Sequence, residues 1–247
     1  MIKLRKYGGV IEITKIEKES SGVRRLSVDR GERGVIKPRR SDSARRTRQM
    51  CVRRVLSAVE VFGAPLFITL TFQGLASDVL VASSALSHFQ RRLSSNFPDS
   101  ASLFVPELSK RGRIHFHGLL FGVSQDWGDY KKSGGSSVVY GRERKDRFFQ
   151  KLWGYGFVDI RQTDGSPRLA YYISKYVLKA SEEVFLAPLR LIRTSRGFPK
   201  PLEFSLSDDN WSFLSSRLKL REKWSGSFNT SFLGRIDKIY YDVIQDS

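Results

Sequence analysis

Two of the three histidines in the chain, His115 and His117, stand two residues apart with one aromatic residue between them. Side chains on a β-strand point alternately to opposite faces, so both imidazoles lie on one face and Phe116 on the other. Neutral imidazole nitrogens are common ligands of divalent metal ions. The pattern therefore predicts half of a metal site on a polar strand face. The plainer interpretation is an exposed polar face that binds no metal.

A third ligand is suggested by the segment that precedes the histidines. Residues 102–108 have the composition of a strand, and a three-residue hairpin loop centred on Arg111 follows. The last position of such a loop takes the left-handed backbone conformation, which Gly112 supplies. This register places Glu107 opposite His115 and on the same face. One carboxylate and two imidazoles suit a hard divalent ion that keeps open positions for a substrate oxygen.

A second chemical pattern lies on a helix predicted over residues 168–180. Its apolar positions form one face, and beside that face runs a stripe made of Tyr172, Lys175, Tyr176 and Lys179. Tyr172 and Tyr176 are one turn apart and therefore neighbours. A phenol can attack a phosphodiester and form a covalent phosphotyrosine, with nearby lysines favouring the phenolate. The alternative is amphipathic packing of the tyrosines, and Tyr171 replaces Tyr172 if the helix is rotated.

The net charge of +18 predicts a polyanionic partner, with nucleic acid first and an acidic membrane surface second. The single cysteine, Cys51, excludes a disulfide framework and a cysteine-based zinc module. No apolar run is long enough to span a bilayer, and the first residues lack the core of a signal peptide. These features predict a soluble, cytoplasmic protein without a membrane partner.

Basic residues are concentrated between residues 37 and 54 and continue into a predicted helix. We interpret this segment as a helix that grips phosphate groups, although a solvated charged face would have the same composition. Its candidate DNA-binding residues are Arg45, Arg46, Arg48, Arg53 and Arg54. The hairpin and the tyrosine helix add Arg111, Arg113 and Lys179.

The remaining pattern predicts an α+β fold with a mainly antiparallel sheet. Strands are expected at 10–16, 65–72 and 156–161, with helices at 79–97, 142–153 and 211–223, a mobile loop at 124–141 and a basic loop at 193–197. His88 is expected on the helix surface and away from the site. We divide the chain into a basic N-terminal extension (1–60), a core (61–182) and a C-terminal extension packed on the core (183–247).

Three motifs occur in a distinctive order: residues 67–72, His115-Phe116-His117, and Tyr172-Ile173-Ser174-Lys175-Tyr176. Together they resemble the motifs of the HUH endonucleases, and most closely the rolling-circle replication initiators of small single-stranded DNA phages of the microvirus type. The resemblance covers roughly residues 65–180. It implies a central antiparallel sheet of about five strands flanked by helices, a Rep-like arrangement related to ferredoxin and RRM folds.

The resemblance also implies roles for the residues that match the motifs. His115 and His117 are expected to bind Mg²⁺ or Mn²⁺ with Glu107, while Tyr172 and Tyr176 act as nucleophiles and Lys175 positions them. The implied reaction nicks single-stranded origin DNA, leaves a 3′ hydroxyl for a polymerase, and later rejoins the ends in the bacterial cytoplasm. The sequence contains no phosphate-binding loop of the Gly-x-x-x-x-Gly-Lys type, so a host helicase is expected as partner.

Other classes of protein fit part of the pattern. A single-tyrosine transposase and a mobilisation relaxase share the histidines, but relaxases usually place the tyrosine before them. A non-catalytic single-stranded nucleic-acid-binding protein, such as a regulator, explains the charge and the aromatic residues equally well, and a structural or packaging protein is a further alternative. Metal dependence discriminates between them, because binding survives a chelator and nicking does not.

Overall fold

The computed structural model of the chain describes residues 2–17, 41–74, 78–123, 140–230 and 234–244. These residues form two compact units, one of residues 36–199 and one that combines residues 1–35 with residues 200–247. The loop predicted at 124–141 lies almost entirely outside the described residues. The elements in chain order are β1 (Ile2–Tyr7), β2 (Val10–Glu17), α1 (Ser41–Phe62), β3 (Leu66–Phe72), α2 (Val79–Asn96), β4 (Ala101–Leu108), β5 (Ile114–Phe121), α3 (Tyr140–Trp153), β6 (Gly156–Gln162), α4 (Pro167–Glu182), β7 (Arg193–Thr194), β8 (Leu202–Leu206), α5 (Asp208–Arg217), β9 (Leu220–Thr230) and β10 (Gly234–Val243).

The unit of residues 36–199 is built on a five-stranded antiparallel sheet in the order β6-β3-β5-β4-β7. The strands are rich in β-branched and aromatic residues, which suit a pleated and largely buried surface. The three inner strands, β3, β5 and β4, are mostly buried. This agrees with the α+β fold and the sheet of about five strands predicted from the sequence.

The β4–β5 hairpin has the register that the sequence predicts. Glu107 pairs with His115, and Gly112 has a φ of 72° at the end of the loop. The amide of Gly112 donates to the carbonyl of Ser109 at 2.9 Å, which closes the turn. The left-handed conformation favours glycine, because other side chains are strained there. The carboxylate and both imidazoles are consequently fixed on one face of the sheet.

Helices cover both faces of this sheet. On the face opposite the histidines, Phe89 of α2 packs against Phe104 and against Trp153 of α3, with ring centroids 5.9 Å apart in both pairs. The predicted helix at 79–97 is confirmed, and Asp78 caps it by accepting from the amide of Leu80 at 2.7 Å. His88 on α2 is half-buried and bonds to the hydroxyl of Tyr155 at 3.0 Å, away from the histidine pair.

Helix α4 lies over the histidine face and packs along α1. Its apolar residues recur every three to four positions and are buried, as Ile173 and Val177 show. Burial of a side chain of this size contributes about 1.5–3 kcal/mol to folding. The side chain of Arg48 on α1 donates to the hydroxyl of Ser174 on α4 at 3.3 Å. The pair of helices therefore holds the tyrosine stripe at a fixed height above the sheet.

The other unit is a five-stranded antiparallel sheet in the order β8-β1-β2-β10-β9. Trp211 of α5 packs on this sheet, its ring 5.9 Å from that of Tyr241. The strand predicted at 10–16 is confirmed as β2. Its partner β10 lies near the other end of the chain, so the two terminal segments form one sheet.

This organisation differs from the three-part division drawn from the sequence. Residues 1–35 and 200–247 form one unit instead of two separate extensions, while residues 36–60 are part of the larger unit. No local pattern reveals a pairing between strands so distant in sequence, such as that of Ile13 with Ile239.

The helix predicted at 211–223 is wrong in its second half. Helix α5 ends at Arg217, and the chain turns extended at Leu218 before β9 begins at Leu220. Pairing of β9 with β10 overrides the helical periodicity of this segment.

Candidate catalytic centre

The carboxylate of Glu107 is the centre of the predicted site. Its Oε2 lies 2.5 Å from Nε2 of His117, and its Oε1 accepts a hydrogen bond from the ammonium of Lys179 on α4. Lys179 therefore contacts the centre itself, whereas the sequence analysis placed it among the DNA-binding residues. The bridge joins a strand of the sheet to the helix that bears the tyrosines.

Two threonines of β3 orient the histidine rings. Thr69 pairs with His117 and Thr71 with His115, so all four side chains share one face. The hydroxyl of Thr69 lies 3.2 Å from Nδ1 of His117, and that of Thr71 lies 3.4 Å from Nδ1 of His115. Bonding at Nδ1 fixes the ring and leaves Nε2 as the ligating nitrogen, as expected of a metal-binding histidine.

The charges of the centre suit the same chemistry. Burial lowers the pKa of both His115 and His117, and the neighbouring Glu107 only partly offsets that effect. The imidazoles are consequently neutral near pH 7, the form that binds metals. Burial raises the pKa of Glu107, but hydrogen bonds from Lys179 and His117 outweigh it and the net pKa is lowered, so the carboxylate is ionised.

The donor types fit a divalent ion, but the carboxylate is engaged elsewhere. Within the described residues, no three His, Cys, Asp or Glu side chains stand ready to hold a metal ion as they are placed. The reason is local, because Glu107 bonds directly to Nε2 of His117 and to Lys179. Coordination by both residues would replace the hydrogen bond between them.

The two tyrosines of α4 meet directly above this centre. Their hydroxyl oxygens lie 2.9 Å apart, and the ring of Tyr176 stacks on that of His117 with centroids 4.0 Å apart. Tyr172 packs edge-on against Phe67 of β3 at 5.6 Å. Tyr171 is exposed and takes part in none of the ring contacts described for the centre. The helical rotation predicted from the sequence, with Tyr172 and Tyr176 in one stripe, is thus the one observed.

The electrostatic environment of Tyr176 is opposite to the expectation. The sequence analysis expected the neighbouring lysines to favour a phenolate. Burial, the hydrogen bond with Tyr172 and the charge of Glu107 instead raise the pKa of Tyr176 far above its usual value of 10.0. Lys179 does not counter this effect, because its charge is directed at Glu107. Tyr176 therefore keeps its proton at neutral pH and can donate it in a hydrogen bond.

The predicted DNA-binding arginines occupy different environments. Arg45 and Arg46 are exposed on α1, and Arg111 is exposed in the hairpin loop. Arg113 has a buried Nε without a partner among the described residues. Two others are tied to neighbours, Arg48 to Ser174 and Arg54 to Thr194, and Arg53 is half-buried on α1. Lys175 projects from the exposed side of α4, between the two tyrosines in sequence.

The sequence analysis missed three residues of this centre. Thr69 and Thr71 alternate on β3 with buried residues, which was a visible signal for a shared face. Phe67 completes the same face and contacts both His117 and Tyr172. What could not be anticipated is which β3 residue faces which histidine, because that depends on the register of β3 with β5.

An antiparallel sheet with paired histidines on a central strand, and a tyrosine-bearing helix across them, is the arrangement of a Rep-like protein. Residues 65–181 match the model of the ORF2 family of replication-associated proteins. That match is consistent with a rolling-circle replication initiator, and it confirms the family-level resemblance. No curated protein and no solved structure gives a significant match. Among the described residues, none of the helices is long and apolar enough to cross a membrane.

Proposed function

We propose that this protein initiates rolling-circle replication by nicking and rejoining single-stranded origin DNA through a covalent phosphotyrosine. The observation that carries the proposal is the hydroxyl pair of Tyr172 and Tyr176, held over His117 and Glu107. A nucleophile, a possible proton donor and a cation-binding face converge at one point. Simple packing of amphipathic tyrosines does not require that convergence.

In the proposed nicking step, a phenol oxygen bonds to the scissile phosphorus and the bond from phosphorus to the 3′ oxygen breaks. The phenol loses its proton and the departing 3′ oxygen gains one, so the step is balanced. The product is a 5′-phosphotyrosine and a free 3′ hydroxyl. Attack of a 3′ hydroxyl on that phosphotyrosine reverses the step and closes a circle.

The two tyrosines are unequal, and this suggests the order of events. Tyr172 is 46% exposed and can reach a strand that lies on the surface. Tyr176 is held against His117 and retains its proton, so it can donate to the oxygen of Tyr172 as negative charge develops there. We infer that Tyr172 attacks first and that Tyr176 first serves as the donor.

Mg²⁺ or Mn²⁺ is the proposed cofactor, with His115, His117 and Glu107 as ligands. When bound, the ion would neutralise charge on the scissile phosphate. The threonine hydroxyls at Nδ1 support this assignment, because they hold both rings with Nε2 available. Lys179 balances the charge of Glu107 in the absence of an ion.

The DNA strand is proposed to approach over the hairpin and α1. Arg45, Arg46 and Arg111 are exposed there, and the buried Nε of Arg113 has room in its valence for an acceptor. Lys175, beside the tyrosines, is proposed to position the strand. Because each neutralised phosphate releases counterions, affinity for single strands should fall steeply with salt. Unwinding and synthesis would fall to a helicase and a polymerase of the host.

The test uses labelled single-stranded fragments of the genetic element that encodes the protein. Each fragment is incubated with protein and Mn²⁺, with and without EDTA, and separated on a denaturing protein gel. We expect an EDTA-sensitive adduct that is lost in the Tyr172→Phe/Tyr176→Phe double variant. Tyr171→Phe is the matched control, since it removes a neighbouring exposed hydroxyl of the same helix, and it should retain the adduct.

Two results would contradict the proposal. An adduct that persists in the double variant would show that another nucleophile is used. Tight binding of all fragments without any adduct would instead indicate a non-catalytic single-stranded nucleic-acid-binding protein.

A further inference from the structure

A cavity of about 530 Å³ opens at the β7 edge of the larger unit, outside the tyrosine and histidine centre. It lies between α1, α2 and the segment that leads into β7. Its described lining residues are Thr47, Met50, Arg54, Gln90, Arg190, Leu191, Ile192, Arg193 and Thr194. Its volume is in the range of small-molecule sites, about 300–1,000 Å³.

Two of its arginines are held in place by bonds to the surrounding elements. Arg54 on α1 donates to the hydroxyl of Thr194 at 3.2 Å. Arg193 donates to the carbonyl of Ser83 at 2.7 Å and to its hydroxyl at 3.0 Å, and also to the hydroxyl of Ser87 at 2.7 Å. These bonds use only part of the five donors of each guanidinium. The remaining donors are fixed in position at the edge of the cavity.

The charge of the cavity is one-sided. Three guanidinium groups line it, from Arg54, Arg190 and Arg193, and none of its described lining residues is acidic. Burial, followed by the charge of Arg190, lowers the pKa of Arg193 below its usual range. Like charges gathered in a partly buried cavity repel one another unless an anion joins them. Arginine is well suited to such an anion, because its planar fork matches the geometry of a phosphate.

The rest of the lining suits a larger ligand than a bare anion. Met50, Leu191 and Ile192 form an apolar wall, and Met50 is 40% exposed although its side chain is flexible and apolar. Gln90 donates through Nε2 to Ser102 at 3.2 Å, which leaves its carbonyl oxygen as an acceptor. An apolar wall, an amide acceptor and a cation cluster together match the base and the phosphate of a nucleotide.

We propose that this cavity binds the phosphate group of a nucleotide, with the base against the apolar wall. The nucleotide is either free or part of a DNA strand, and the chemistry of recognition is the same in both cases. Thr194 pairs with Leu103, which lies on the same strand and face as Glu107 and four residues before it. At 3.3 Å per residue the cavity is about 13 Å from the catalytic centre along β4.

The test measures binding alone, in EDTA and at fixed ionic strength, so it does not depend on nicking. Three probes are titrated by calorimetry: inorganic phosphate, thymidine monophosphate and a short oligo(dT). The variants are Arg54→Gln and Arg190→Gln. The matched control is Arg196→Gln, because Arg196 is exposed, carries the same charge and lies close in sequence without lining the cavity. Arg190 is exposed as well, so its replacement leaves the fold intact.

We expect both cavity variants to weaken binding by about tenfold, as for loss of a charge-assisted hydrogen bond, and the control to change it less than about twofold. A loss seen with phosphate and the mononucleotide identifies a free nucleotide as ligand. A loss confined to oligo(dT) identifies a phosphate within the strand. Equal effects of all three variants on every probe would overturn the proposal, since general charge alone would then explain binding. Because the adduct assay is separate, either proposal can fail without the other.

Discussion

The hydroxyl of Tyr172 lies 2.9 Å from that of Tyr176, and the two side chains have different surroundings. One is nearly half exposed, while the other stacks on His117 and has a pKa raised by burial and by its partner. Two tyrosines of the same motif are therefore chemically distinct. Their difference can be measured separately from the reaction itself.

The first prediction concerns the order in which the tyrosines act. Tyr172→Phe should slow formation of the first adduct by at least about a hundredfold, because it removes the proposed nucleophile. Tyr176→Phe should slow it by about tenfold, since only a hydrogen-bond donor is lost. Single-turnover rates of adduct formation with excess protein measure both values. The reverse order would assign the first attack to Tyr176.

The second prediction concerns stability at high pH. The pKa of Tyr176 is raised in the folded state, so the folded protein binds more protons than the unfolded chain above pH 10. The stabilisation from this site is complete below pH 10 and is lost as pH rises towards the folded pKa. Urea unfolding between pH 9 and about 11 should show a decline that is smaller in Tyr176→Phe. Equal declines in both proteins would contradict the raised pKa.

The third prediction concerns metal binding. Glu107→Gln and His117→Asn should each weaken Mn²⁺ binding by at least about tenfold, as expected for loss of one ligand. The exposed acid Asp99 precedes the opposite end of β4 from Glu107, and Asp99→Asn serves as control. Electron paramagnetic resonance of free Mn²⁺ gives the affinities.

The same titration has an expected pH dependence. Because burial lowers the pKa of both histidines below 6.5, protons should compete with Mn²⁺ only below that pH. Affinity should hold between pH 8 and about 6.5 and fall under more acidic conditions. A fall that begins near pH 7.5 would contradict the buried and neutral state of the rings.

The fourth prediction concerns Gly118, which follows the histidine pair. A Cβ at this position would overlap the ring of Phe104 on the neighbouring strand. Gly118→Ala should therefore destabilise the protein by about 1–3 kcal/mol, as for other overpacked cores. Gly74→Ala is the control, since its Cβ would meet open space, and it should change stability by less than about 0.5 kcal/mol. Chemical denaturation measures both, and equal values would exclude the close approach.

The parts of the fold that the sequence predicted are those set by local rules. Alternation fixed the common face of His115 and His117, and turn chemistry at Gly112 fixed the position of Glu107. The 3.6-residue period placed Tyr172 beside Tyr176. Each of these relations involves residues close in the chain, for which geometry leaves few alternatives.

The parts that escaped prediction depend on distant segments. The side chain of Lys179 points to Glu107 because α4 crosses β4, which no periodicity encodes. The raised pKa of Tyr176 follows from that crossing too, since burial and Glu107 both contribute. Likewise, the segment after Arg217 forms a strand because β10 is available to pair with it.

The pairing of β2 with β10 gives the chain the topology of an insertion. Residues 36–199 form the inserted unit, and the sheet that receives it needs segments from before and after them. During synthesis the tyrosine-bearing unit is therefore complete before β10 leaves the ribosome, while β1 and β2 still lack β8 and β10. A nascent chain that ends near residue 199 would present a folded inner unit and an open sheet edge. The contacts of highest sequence separation close last, so the receiving sheet sets the pace of maturation.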